Sequence, residues 1–291
     1  MFYRNAGSSC TGAIISKSVI LTAAHCAEQD PWWWPIKLLK PSNVFVTFGH
    51  SDLGNAMNMS VKSILIHPNY GWKMGQWYND LALLKLSNDL EFNDAIQPIS
   101  LPSLNYTKYD LLFEELIFAG YGSEKFNTEE GKLFQGGDAS KNFRTKAVNS
   151  MKKLKVDLTM STCNDHLYQV MDEKYDSLLF SSTHGLWFGD SGGPLMIISP
   201  NFTNPEVIGV AISAIITNHN EHKVDIYTRV SFFVPWIQKN LENFDGYTNL
   251  NLDWTIAIGI LILELTLVLL FTTLFTLLVL KLSFLLKTRR K

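Results

Sequence analysis

The sequence predicts an all-β body followed by one long apolar helix. Short apolar runs recur through residues 1–245 and are closed by turn-forming residues. They include VILTAA at 19–24, NVFVTFG at 43–49, SILIHP at 63–68, LALLKL at 81–86, ELIFAGYG at 115–122 and EVIGVAIS at 206–213. Many short strands with turns between them argue for a sandwich or a barrel. Residues Ile256 to Leu280 form a second kind of segment, 25 residues with the single charge Glu264. The length of 291 residues allows a core that needs no staples, and 46% hydrophobic residues against 18% charged excludes disorder.

The elements follow in order. No internal repeat or low-complexity tract is evident in residues 1–245. At 234–244, VPWIQKNLENF carries apolar residues at helical spacing, which predicts a helix. Residues 246–253 read as a linker and 254–280 as a transmembrane helix. At about 1.5 Å per residue the apolar stretch exceeds a hydrocarbon core of about 30 Å. A buried globular helix is the alternative. Trp254 stands where an interfacial aromatic is expected. The tail 281–291 holds Lys281, Lys287, Arg289, Arg290 and Lys291 and no acid, which predicts a cytoplasmic C-terminus. A GPI signal does not fit that basic extension. Glu264 costs roughly 2.5–3.5 kcal/mol within a bilayer. It reads as a neutral passenger or as the contact for a partner helix.

Charge and cysteines narrow the function. The formal charge is −2, and without the tail 20 basic residues face 27 acidic ones. That balance gives no reason to expect nucleic acid. Three cysteines exclude a disulfide-dense scaffold. Sequons at Asn58, Asn105 and Asn201 suit a secretory lumen. The opening MFYRNAGSSC lacks the basic and apolar regions of a signal peptide. A literal start there raises the alternative of a cytosolic, tail-anchored protein. No HExxH, paired CxxC or phosphate-binding glycine loop is present, so neither a metal nor another cofactor is expected. Asp52 is the only carboxylate between His50 and Asn58, too few for a calcium loop.

Three short motifs carry chemistry. LTAAHC places His25 just after a β-run, NDLALLKL places Asp80 at the head of another, and GDSGGPL places Ser191 in a glycine-rich turn. Nucleophilic acyl transfer needs these three types: a hydroxyl to attack, an imidazole to take its proton and a carboxylate to hold the imidazole. The glycines let backbone N–H groups converge on the developing oxyanion.

With these motifs the chain resembles the chymotrypsin-like (trypsin-like) serine endopeptidases, from about Gly7 to Phe244. Further matches are Cys10 and Cys26 around the histidine loop, IQPISLP at 96–102, GYG at 120–122 and IYTRVSFFVPWI at 226–237. The resemblance implies a peptidase domain over 1–245 made of two β-barrels, 1–110 and 111–233, with the helix 234–244. It implies His25 as general base, Asp80 as its orienter and Ser191 as nucleophile. The N–H groups of Gly189 and Ser191 would form the oxyanion hole, and Ser213 matches the serine that helps hold the aspartate. Cys10–Cys26 would be the histidine-loop disulfide. The substrate would be a protein or peptide.

The chain also departs from the family. No IVGG-like activation sequence precedes Cys10, and the first strand of the first barrel is expected to be missing. Either the true start lies upstream or the protein is held in a zymogen-like state. Cys163 matches a family cysteine whose partner position is Ser181, so it is expected as an odd thiol. Leu116 and Ile197 occupy the ends of another family bridge, where packing replaces the bond. Trp187 stands at an end of the bridge beside the specificity pocket. Gly185 stands where trypsin carries an acid, while Asp225 supplies a carboxylate from the other wall, as in crab collagenase-like enzymes. Ala214 and Ile215 replace the usual Trp-Gly. These pocket residues leave three readings: basic P1, small or apolar P1, or an occluded pocket. Trp32, Trp33 and Trp34 lie where thrombin-like enzymes carry an insertion over the cleft. They would cap the cleft, meet the membrane or pack on the barrel.

Overall fold

The computed structural model describes residues 2–3, 9–29, 37–73, 76–102, 111, 114–122, 151–158, 177–181, 185–186, 189–198, 204–216 and 223–244, with 266, 271–273 and 275–276 beyond them. Met1–Tyr247 is one compact unit and Thr248–Lys291 another.

The first unit begins with the short strands β1 (Phe2–Tyr3), β2 (Ser9–Cys10), β3 (Ala13–Ser16) and β4 (Val19–Thr22). Strands β5 (Phe45–Phe48), β6 (Met57–Ile66), β7 (Gly71–Lys73), β8 (Gln76–Tyr78) and β9 (Ala82–Leu86) follow. Apart from the small β7–β8 pair, they form a seven-stranded antiparallel sheet in the order β2-β1-β5-β6-β9-β4-β3. The expected absence of an opening strand is corrected here. Phe2 pairs with both Cys10 and Val46, so a two-residue strand holds that place. So short a strand carries no alternation pattern for a sequence reading to detect.

The second half contributes β10 (Leu116–Gly120), β11 (Lys152–Val156), β12 (Leu178–Ser181), β13 (Pro194–Ile197), β14 (Glu206–Ile216) and β15 (Lys223–Arg229). They form a six-stranded antiparallel sheet in the order β11-β10-β13-β14-β15-β12. Two curled antiparallel sheets are the arrangement typical of the chymotrypsin-like double barrel. Register shifts between Ala211 and Ser213, and between Val61 and Ser63, mark bulges in the long strands. Bulges bend a strand, as curling requires.

Burial follows the apolar runs. Val19–Thr22 is buried throughout, and Leu81, Leu83 and Leu84 have no exposed surface. A leucine fully buried in this way contributes about 2 kcal/mol. One core joins Leu21 and Leu83 of the first sheet to Val210 and Ile226 of the second and to Ile237 of the helix. A second core, around Leu116, Leu195 and Tyr227, belongs to the second sheet. Leu116 and Ile197 are direct cross-strand partners, 0% and 1% exposed. The two side chains therefore pack against each other across β10 and β13.

Helix α1 (Val234–Asn243) lies where the sequence places it, with Pro235 in its first turn. Val234, Ile237 and Asn240 are buried one turn apart. Asn240 Nδ2 donates to the Trp236 carbonyl at 2.6 Å, which satisfies its buried amide.

In the second unit, residues 266, 271–273 and 275–276 are helical, and Phe271 and Phe275 are 75% and 61% exposed. No helix among the described residues is long and apolar enough to cross a membrane. Trp254, Glu264 and most of 254–280 lie outside the described residues, as do the tail, Asn105, Asn201, Cys163, Trp187 and Trp32 to Trp34.

Candidate active site

His25 begins a short 3-10 turn, His25–Ala27, directly after β4. Asp80 precedes β9, the neighbour of β4 in the sheet, so adjacent strands bring the two residues together. Asn79 has φ +49°, a left-handed conformation that asparagine tolerates better than most residues. Its side chain donates to the Asn69 carbonyl at 2.8 Å and pins the bend that aims Asp80.

Asp80 is wholly buried, and both its oxygens meet His25. Oδ1 accepts the backbone N–H of His25 at 2.9 Å, and Oδ2 lies 2.6 Å from Nδ1. A carboxylate in its ionised form only accepts, so this contact favours the proton on Nδ1, and in the neutral imidazole Nε2 then keeps its lone pair. That is the tautomer a general base needs. The imidazole side chain keeps 18% of its surface exposed. Trp77 stacks on it, ring centroids 6.4 Å apart and planes 13° apart. Tyr70 stacks on the same indole, ring centroids 5.3 Å apart. Burial, with Asp80 and Glu28 nearby, pushes the Tyr70 phenol far above its ordinary range, so it stays neutral.

Cys10 and Cys26 are joined by a disulfide that spans 16 residues. Cys26 Sγ lies 3.8 Å from His25 Nε2, so the bridge abuts the imidazole. Beside it, Thr11 N–H donates to the Ser191 carbonyl at 2.8 Å. Ser191 is half-buried in the turn before β13. Gly189 and Gly192 have φ of +96° and +82°, which only glycine adopts without strain. Gly192 also packs so closely that a Cβ there would collide with the Thr22 hydroxyl and the Thr11 carbonyl. The Ser191 turn is thus seated on the strand end that leads into His25.

From the second sheet, Thr228 Oγ1 donates to the Asp80 carbonyl at 3.0 Å. No hydrogen bond from Ser213 to Asp80 is present among the described residues. Ser213 follows the bulge in β14 and pairs with Ile226. Thr228 lies within the IYTRVSFFVPWI run, which carries no sign that its hydroxyl reaches Asp80. Asp190 is buried, and its Oδ1 accepts the Gly122 N–H at 2.8 Å.

Of the residues expected to line a specificity pocket, Asp225 and Gly185 lie together. Asp225 has no exposed surface, and its Oδ2 accepts the N–H groups of Gly185 and Leu186, each at 3.0 Å. A Cβ on Gly185 would collide with Leu154, whose side chain fills that space. Asp225 pairs with Ala214 across β14 and β15, and Ile215 stands opposite Val224. The side chain of Ile215 lies outside the described set. Behind this cluster, burial and the charges of Asp225 and Asp190 push the Tyr227 phenol well above its ordinary range.

Comparison with known proteins agrees with this geometry. Clotting factor G beta subunit of Tachypleus tridentatus is 27% identical, over 79% of this chain and 70% of that protein. CLIP domain-containing serine protease HP8 of Bombyx mori is 28% identical over 81% of this chain, which spans 62% of that protein's length. Trypsin-1 of Astacus astacus is 26% identical over 79% of this chain and 87% of that enzyme. The Trypsin family profile matches residues 1–237, and the chain belongs to the trypsin-like serine protease family.

Proposed function

We propose that the chain is a serine endopeptidase that cleaves peptide bonds through an acyl-enzyme on Ser191. Ser191 Oγ attacks the scissile carbonyl while His25 Nε2 takes its proton. The N–H groups of Gly189 and Ser191 stabilise the oxyanion. The imidazolium, held by Asp80, returns the proton to the leaving amine as the C–N bond breaks. Water, deprotonated by the same Nε2, then releases the acyl group. The observation that carries this reading is the pair of bonds from Asp80 to His25, which sets the tautomer of the base.

The P1 preference follows from the second cluster. Asp225 is buried and its Oδ2 is taken by two backbone amides, which weakens its pull on a cation. We infer a small or apolar P1 residue. The same closed geometry, with Leu154 against Gly185, favours a second reading: a catalytically silent relative that binds proteins without cleaving them.

The tether is part of the proposal and rests on the apolar segment 254–280 and its basic tail. The body would face the exterior or a secretory lumen. The Cys10–Cys26 disulfide and the exposed Asn58 on β6 fit such a compartment.

A fluorophosphonate probe tests the chemistry. The full chain is expected to take label at Ser191, and Ser191→Ala to take none. A folded chain that stays unlabelled after any activation cleavage supports the silent reading instead.

A further inference from the structure

We propose that Thr11 is a positioning residue for the oxyanion loop, because its buried hydroxyl ties the Gly189 carbonyl and the Tyr121 amide into one bridge. This inference rests on Ser191 being the nucleophile.

Thr11 is 3% exposed, and all of its polar groups are engaged. Its hydroxyl donates to the Gly189 carbonyl at 2.8 Å and accepts the Tyr121 N–H at 3.1 Å. Its backbone N–H donates to the Ser191 carbonyl at 2.8 Å, and its carbonyl accepts the Thr22 hydroxyl at 2.9 Å. One residue between β2 and β3 thus holds both ends of the segment whose N–H groups face the oxyanion.

Gly189 needs such a hold. It sits at φ +96° and has no side chain to restrict its peptide planes. Rotation at this glycine would turn its amide away from the oxyanion, and donors aimed beforehand are what that site supplies. A bond to the Gly189 carbonyl restrains the rotation. The next amide along, Gly122 N–H, is taken by Asp190. The Thr11 hydroxyl and the Asp190 carboxylate therefore capture two successive amides, 121 and 122, and staple the end of β10 to the nucleophile turn. The backbone bond to Ser191 survives any side chain at position 11, whereas the bridge requires a hydroxyl. Valine has nearly the same shape and cannot form it.

The test compares Thr11→Val and Thr11→Ser with the unaltered full chain. Each is assayed with a peptide ester and by the rate of fluorophosphonate labelling. T11V is expected to lower kcat and the labelling rate by about 10- to 100-fold, with KM within about twofold. T11S, which keeps the hydroxyl, is expected to recover most of the loss. If T11V does not fold, Thr11→Ala supplies the same reading, since it also keeps the backbone bond. Unchanged kcat in a folded T11V or T11A overturns the role of Thr11. So does a T11S variant as impaired as T11V, because the effect would then belong to packing. An unaltered chain that takes no label overturns the endopeptidase reading itself, and this inference with it.

Discussion

Asp80 and Asp225 are the same side chain at the same depth, each with no exposed surface, yet their surroundings give them different work. Asp80 precedes β9 of the first sheet and turns both oxygens to one residue, His25. Asp225 lies within β15 of the second sheet and gives one oxygen to two backbone amides, Gly185 and Leu186. An imidazole can lose and regain a proton near neutral pH, while an amide cannot. The donors around a buried carboxylate therefore decide whether it serves proton chemistry or loop geometry. A sequence shows two aspartates beside strands and does not show the donors.

The largest effect expected is at the first aspartate. Asp80→Asn places an amide against Nδ1 and favours the wrong tautomer, so kcat/KM for a peptide ester should fall by about 10⁴-fold. A variant with near-normal turnover would break the contrast between the two sites. At the second, Asp225→Ala strips the acceptor from two amides. Chemical denaturation should report a loss of about 2–5 kcal/mol. Residual activity should fall alike for arginine and apolar P1 substrates. A selective loss of arginine cleavage would make Asp225 a counter-ion for substrate after all.

The two sheets are also secured differently near their sites. In the first, the Cys10–Cys26 bridge abuts His25, and Cys10→Ala with Cys26→Ala should cost about 3 kcal/mol. In the second, the Leu116–Ile197 pair packs across β10 and β13, and Leu116→Ala should cost about 2–5 kcal/mol by cavity formation. Equal sensitivity of both sheets to a reducing agent would contradict this division.

The smallest effect concerns pH. His67 meets Phe233 and Trp236 with ring centroids 5.0 Å away in each case, and burial lowers its pKa. Between that lowered value and about 6.5 the unfolded chain binds more protons than the folded one. Stability is therefore complete above about pH 6.5 and declines as pH falls through this window. His67→Gln should flatten the decline in unfolding measured from pH 7 to pH 5, whereas an unchanged slope would assign it to other groups.

The strands were legible wherever apolar residues run together. VILT and ALLKL were evident because buried strands are rich in apolar residues, with Lys85 the one charged position among them. Phe2–Tyr3 was missed because two residues carry no pattern. His25, Asp80 and Ser191 were legible because each lies in a distinctive local context. Thr11 was not, for a lone threonine after a cysteine looks ordinary, and Thr228 lies in IYTRVSFFVPWI, where nothing shows that its hydroxyl meets Asp80. Asp225 was noticed for its charge, but its engagement by backbone amides was hidden.

The Cys10–Cys26 pairing came from the family resemblance, while by itself the sequence determined the strand-forming runs, the terminal helix of the body and the three candidate catalytic residue types in their order. These are local patterns or spacings, set by short-range sterics and hydrophobic periodicity. Tertiary structure alone decided that the Thr11 hydroxyl meets Gly189, 178 residues away, and that Thr228 meets Asp80 across 148 residues. Such hydrogen bonds depend on placing atoms to within a few tenths of an ångström. That placement arises only when two sheets pack, and no run of neighbouring residues encodes it.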